Sequence, residues 1–344
     1  MNKYGYRFSF GPWNIHEGAD PFGPTVRSAR SFADKLKVYG ELGFDAVQFH
    51  DDDAVPDLDS LSPAQIREQA QAVRRQLSDH GLAAEFVAPR LWEHPLTIDG
   101  AYTANDPQAR AYAVDRSKKA ADIAHELGTD LMVLWLAREG TYLRESKDVV
   151  RATRQLLEAV NALLDYAPGL RIAVEPKPNE PMDLAFIPTM GHALALGFQA
   201  KDPARVGALM ESAHAILAGL DPSDEIGFAM TFGKLWSVHL NDQNGLKYDQ
   251  DRSFGAIDLR RAFNQVRVLD DNRFYEIGMV GLDVKALRTQ PADLATKHLR
   301  NSLQMFLRLV ELARSLDRKA LAAEIAARDY EEVDWLILTH LLKA

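Results

Sequence analysis

Short runs of strand-forming residues alternate with amphipathic helical stretches along almost the whole chain, and few architectures accept that order. The runs are Arg7–Phe10, Phe44–His50, Ala83–Ala88, Leu131–Trp135, Arg171–Val174, Val206–Met210, Leu235–Leu240 and Phe274–Ile277. Between them lie helical patterns such as Ala29–Leu42, Pro63–His80, Pro107–Leu127 and Lys147–Leu164. Ser62-Pro63 and Asp106-Pro107 set a capping side chain before proline at the first helical position. Gly43, Gly81 and Gly128 stop helices just ahead of strands. Eight such strand–helix repeats predict an α/β fold, a (β/α)8 TIM barrel. An open doubly wound sheet is the alternative, but the first strand lacks that fold's G-x-G-x-x-G loop. Pro291–Leu316 reads as the last barrel helix. Residues 1–316 are therefore expected to form the catalytic barrel, and 317–344 a short helical C-terminal tail.

Composition narrows the partners. The 344 residues are 47% hydrophobic and 26% charged, enough apolar material for a large core. A net charge of −9 argues against nucleic acid and anionic membrane. There is no cysteine, so disulfides and thiolate metal sites are excluded, and any metal must be held by oxygen and imidazole. No apolar run approaches the ~18 residues of a membrane span, and the first residues lack an apolar leader pattern. A cytoplasmic enzyme is the expectation.

Polar residues fall at the strand ends, where barrels carry their chemistry. The segment Glu175-Pro176-Lys177-Pro178-Asn179-Glu180-Pro181 closes the fifth strand, and its prolines forbid a helix. Glu175, Glu211, His239 and Glu276 come one each from strands five to eight. A single glutamate there reads as a solvated loop residue, but four in register read as metal ligands. Such an oxygen-rich set with one imidazole suits Mg²⁺, Mn²⁺ or Co²⁺. Glu211, His214, Asp249 and Asp251 outline a second ion, with Glu211 bridging the two. Asp249 and Asp251 taken alone would read as a surface loop. His50 ends strand two and is followed by Asp51, Asp52 and Asp53. A carboxylate there can fix its tautomer and raise its basicity; the plainer reading is a helix-capping acidic cluster. Trp13, Trp92 and Trp135 follow strands one, three and four. Any one could be core, but together they suggest a wall against a sugar's apolar edge. Asn241, past strand seven, is taken as a further substrate contact.

Together these motifs resemble bacterial D-xylose isomerase, or glucose isomerase, of the shorter class. The matching runs are Phe49-His50-Asp51-Asp52-Asp53, Tyr102-Thr103-Ala104-Asn105-Asp106, Arg138-Glu139-Gly140, Glu175-Pro176-Lys177-Pro178-Asn179-Glu180, Gly191-His192-Ala193 and Gln243-Asn244-Gly245-Leu246-Lys247-Tyr248-Asp249-Gln250-Asp251. The resemblance implies an aldose–ketose isomerase with two divalent metal ions and a C1–C2 hydride shift. It implies that His50 with Asp53 opens the sugar ring and that Lys177 holds the C1 oxygen. It also implies a homo-oligomer, dimer or tetramer, in which Phe22 of Asp20-Pro21-Phe22-Gly23 reaches a neighbouring subunit's pocket.

Two ligand positions depart from that pattern, which has aspartate at the positions read here as His239 and Glu276. A shell of Glu175, Glu211, His239 and Glu276 is similar to that of ketose 3-epimerases and inosose dehydratases. Proton transfer on a ketose or oxidised sugar, with Glu175 and Glu276 as acid and base, is therefore the second expectation. A non-catalytic sugar- or metal-binding paralogue is the third; the presence of Lys177, His50 and the second-ion set weighs against it.

Overall fold

The computed structural model describes residues 2–246 and 248–343, so Lys247 of the run after strand seven lies outside it. Eight strands close a parallel barrel: β1 (Phe8–Phe10), β2 (Ala46–His50), β3 (Ala83–Ala88), β4 (Leu131–Trp135), β5 (Arg171–Glu175), β6 (Val206–Glu211), β7 (Leu235–His239) and β8 (Met279–Gly281). Each strand pairs with the next in the chain, and β8 pairs back onto β1. The surrounding helices are α1 (Phe32–Leu42), α2 (Pro63–Asp79), α3 (Pro107–Leu127), α4 (Val149–Tyr166), α5 (Met190–Phe198), α6 (Pro222–Thr231), α7 (Leu259–Asp271) and α8 (Lys297–Ser315). Two more, α9 (Arg318–Ala327) and α10 (Tyr330–Leu341), follow them. Among the described residues no helix is long and apolar enough to cross a membrane.

The helix ends follow local chemistry. The Asp106 side chain accepts from Gln108 N at 2.8 Å ahead of Pro107, and Gly43 and Gly128 close α1 and α3 at φ 80° and 87°. Only glycine enters that left-handed region without a Cβ penalty. The core has two shells. Leu36, Leu156, Phe263 and Phe306 fill the space between helices and strands, while Phe86, Val133, Ala173 and Leu209 fill the barrel itself.

A register shift marks the pairing of β2 with β3, where Val47 faces Ala84 but Phe49 faces Val87. The extra residue on β3 is a bulge, and it brings Glu85 and Phe86 both toward the barrel interior. Bulges of this kind re-aim side chains near active sites.

The eighth strand does not lie where the sequence suggested. Phe274–Glu276 is a 3-10 turn, opened by Arg273 at φ 56°, and the strand begins at Met279. Phe274 is fully buried and Ile277 half exposed, so the apolar spacing there belongs to a turn under the barrel. The true strand is short and flanked by Gly278 and Gly281. Glycine weakens strand character in a sequence, yet a Cβ at 278 would strike the Trp236 carbonyl of β7. Glu276 consequently sits ahead of β8, at the barrel end opposite the strand termini. It is half exposed and ion-paired with Arg273. It is not a strand-end ligand; Asp283, two residues past β8, enters from that strand instead.

Candidate active site

The C-terminal strand ends surround a cavity of about 430 Å³. Glu175, Glu211 and His239 are the last residues of β5, β6 and β7, because a parallel strand in register ends with its final inward side chain above the barrel core. His239 Nδ1 lies 3.5 Å from Glu175 Oε1, 3.4 Å from Glu211 Oε2 and 3.7 Å from Asp283 Oδ2. Beside this group, the short helix Ser212–Leu217 after β6 presents His214, whose Nε2 is 3.3 Å from Glu211 Oε1 and 3.0 Å from Asp249 Oδ2. Glu211, Asp249 and Asp251 also bring ligand oxygens within 4.8 Å of one another. Glu211 is common to each of these groupings.

This crowding leaves a charge problem. Burial, reinforced by Asp249 and Asp283, pushes the Glu211 carboxyl up to about 8 against the pull of His214. Burial and the neighbouring Asp249 hold Asp251 well above the ordinary carboxylate range. Burial would lower His239, but Glu175 and then Glu211 and Asp283 raise it well above its usual value. Asp249 alone is driven the other way: Lys177, His214 and Lys285 overcome its burial. Two buried ligand atoms, His214 Nδ1 and Asp249 Oδ1, have no hydrogen-bond partner, and Glu175 at 3.6 Å is too far to serve the first. Unpaired buried atoms and mutually repelling carboxylates are what a divalent cation would relieve, so the donor set fits such ions. One ion would be held by Glu175, Glu211, His239 and Asp283, and another by Glu211, His214, Asp249 and Asp251.

Lys177 is buried at the cavity wall, its ammonium 3.1 Å from both Asp249 and Glu180. Those carboxylates and Glu211 raise its proton affinity despite burial, so it stays charged. Glu180 is held in the left-handed region at φ 65° and also accepts from Asp249 N at 3.0 Å. The Lys177 ammonium stands 5.0 Å over the Trp135 ring. From there a wall runs through Trp92, edge-on to Trp135 at 4.4 Å, to His50 at 5.0 Å and Trp13 at 4.3 Å. Trp13 Nε1 donates to Asp283 Oδ1 at 2.8 Å, which ties the wall to the carboxylate cluster.

His50 Nδ1 is 3.0 Å from Asp53 Oδ2. Burial would lift Asp53, but His50 and Arg90 together hold it below its ordinary value. Asp51 is tied instead to Arg116 at 2.8 Å and anchors the loop. Asn241 stands behind the cluster rather than on the cavity wall. Its amide donates to Glu211 Oε1 at 2.9 Å and Asp251 Oδ1 at 3.0 Å, so both hydrogens are taken and none is left for a substrate. Phe22 is 80% exposed in the Asp20–Gly23 turn, outside the cavity of its own chain.

The sequence reading assigned no site role to Asp283, Lys285 or Arg90, nor to Arg138 and Glu180 within the matching runs, yet all five line the cavity. Lys285 pairs with Asp251. Asp283 and Lys285 had a legible signal, a charged pair just past a strand, hidden by the misplacement of that strand. Arg90 approaches His50 Nδ1 at 2.8 Å and had none, since the contact joins the end of β2 to the segment after β3.

A profile of the xylose isomerase-like TIM barrel family matches residues 36–279. Among solved structures, a xylose isomerase domain protein from Alicyclobacillus acidocaldarius has a TM-score of 0.61 at 17% identity, covering 90% of this chain and 100% of that one. A D-tagatose 3-epimerase-like protein gives 0.63 at 15%, covering 89% and 98%. A 3-keto-D-glucoside 4-epimerase from E. coli gives 0.63 at 15%, covering 88% and 99%. At these identities the likeness is one of fold.

Proposed function

We propose that this chain, which belongs to the family of xylose isomerase-like TIM barrels, is a metal-dependent enzyme that interconverts an aldose and its ketose. The observation that carries the reading is the placement of Lys177. It is a buried cation between an aromatic wall and a double set of metal-type ligands, and such a cation would stabilise charge developing on a carbonyl oxygen bound beside it. Divalent ions, when bound, would polarise the two adjacent sugar oxygens and lower the pKa of a nearby water. The indoles of Trp13, Trp92 and Trp135 would cover the sugar's apolar edge and exclude water. His50, oriented by Asp53, would exchange the proton at the ring oxygen as the ring opens. Lys177 would then donate to the C1 oxygen. Hydride would pass from C2 to C1 while the O2 proton moves to O1, so that the aldose becomes the ketose with no outside reductant.

A second reading, proton transfer beside a carbonyl, draws on His239 standing among Glu175, Glu211 and Asp283. It is weakened by the position of Glu276, its expected acid–base partner, at the far end of the barrel. The test is an aldose carrying deuterium at C2, offered within a panel of sugars in Mn²⁺. Label recovered at C1 of the ketose supports hydride transfer. Label lost to water moves the assignment to proton transfer, and no turnover of any aldose or ketose sinks both.

A further inference from the structure

Beneath the ligand cluster lies a polar layer inside the barrel that ligand binding itself does not use. Ser9 of β1, Gln48 of β2, Glu85 of β3 and Ser237 of β7 all point into it, and all are buried. The Glu85 carboxylate accepts from Gln48 Nε2 at 3.0 Å, from Ser237 Oγ at 2.7 Å and from Ser9 Oγ. On the other side of the same amide, Gln48 Oε1 meets His239 Nε2 at 3.0 Å. A buried carboxylate in a barrel core is expensive unless each of its lone pairs is used. The β3 bulge delivers Glu85 to this layer, and Gly281 makes room for the contact. A Cβ at 281 would enter contact distance of Gln48 Nε2 and come within 2.8 Å of His239 Cδ2.

We propose that Glu85 and Gln48 are positioning residues that fix the ligand atom of His239. The reasoning is one of donors and acceptors. A carboxylate only accepts, so the Gln48 amide must turn its NH₂ to Glu85 and its carbonyl to the imidazole. A carbonyl also only accepts, so His239 must carry its proton on Nε2. The neutral ring then offers the Nδ1 lone pair toward Glu175, Glu211 and Asp283. Flipping the amide would set Oε1 against the Glu85 carboxylate, so the opposite tautomer is closed off from two residues away. Such outer partners fix ring orientation and typically change metal affinity by ~10–100-fold. The inference rests on the metal-binding reading above.

The test has two arms. Nitrogen-15 NMR of the histidine rings is read first, in wild-type protein both metal-free, at a pH high enough for the His239 ring to be neutral, and loaded with Zn²⁺. His239 should keep a proton on Nε2 in both, with only Nδ1 shifting on loading. Free Mn²⁺ is then titrated by electron paramagnetic resonance in wild type, Glu85→Gln and Ser237→Ala. Glu85→Gln lets the amide flip and should weaken one of two ion classes by ~10–100-fold. Ser237→Ala removes a hydrogen bond to Glu85 without freeing Gln48, and should leave affinity unchanged. A metal-free wild-type ring protonated on Nδ1 alone, or metal bound at Nε2, overturns the proposal with no variant needed. Wild-type affinity in folded Glu85→Gln overturns it too. Failure of wild type to bind Mn²⁺ would instead refute the metal reading, while the metal-free ring spectrum still decides the tautomer.

Discussion

Stripping the ions from this site should make the protein less stable as pH rises from 5 to 8, the reverse of ordinary acid denaturation. Glu211 binds its proton more tightly folded than unfolded, its carboxyl pushed from 4.5 to about 8 by burial and then by Asp249 and Asp283. Such a group contributes stability that is complete below its unfolded value and is lost as pH climbs through the folded one. His239 and Asp251 are raised as well and act in the same direction. Asp249 is lowered, but its window lies below 3.8, outside the range tested. Between pH 5 and 8 Glu211 alone loses ~3.5 kcal/mol, at 1.36 kcal/mol for each tenfold change in proton affinity. With an unfolding entropy of ~2.1 cal/mol/K per residue, a chain of 344 residues should drop its melting midpoint by roughly 5 °C. Saturating Mn²⁺ takes the place of the protons and should flatten the profile. Calorimetric melts at pH 5, 6, 7 and 8, in chelator and in Mn²⁺, would show the difference. Glu211→Gln in chelator should lose most of the slope. A chelated wild type whose midpoint holds level or rises over that range, relative to the loaded protein, would refute the electrostatic account.

Lys177→Met should fold and hold its metal but lose ~2.7–4 kcal/mol of transition-state stabilisation, a ~10²–10³-fold fall in turnover; near-normal turnover ends its assigned role. Mn²⁺ or Co²⁺ should restore chelated enzyme better than Mg²⁺, because the His239 imidazole favours later first-row ions. Full activity in Mg²⁺ alone would contradict that. Light scattering should report at least a dimer and most plainly a tetramer, since Phe22 leaves 80% of its surface uncovered within one chain. A species of 38.4 kDa at micromolar concentration would exclude it.

The barrel was legible because its signals are local. Caps such as Asp106-Pro107, stops such as Gly128 and two-residue alternation act within a few positions, and they survive in the folded chain. Strand ends in turn carried Glu175, Glu211 and His239 into one cavity. The eighth strand failed for the same reason that the others succeeded. Its signal is weak where Gly278 and Gly281 must let β7 and Gln48 approach, and a stronger apolar pattern lay just upstream in a turn. A strand read from Phe274 begins five residues before the true one at Met279, and that exchanged Asp283 for Glu276. Arg90 and Glu85 were illegible in another sense. Their meaning depends on partners 40 and 152 residues away, His50 and Ser237, and nothing in their own neighbourhoods announces those contacts.

The missing side chain at Gly281 also bears on how such a site can change over generations. Exchanging His239 for an aspartate would shorten the ligand, strand the Gln48 carbonyl without a donor and open a void beside an already bare glycine. Refilling that void by substituting position 281 is blocked by the Val238 backbone carbonyl, 2.7 Å from where a Cβ would sit, as well as by Gln48 where Glu85 holds it. Residues 48, 85 and 239 are linked by one hydrogen-bond chain, so a change at 239 is felt at 48 and 85. Engineering an all-carboxylate shell should therefore vary positions 48 and 85 together with 239.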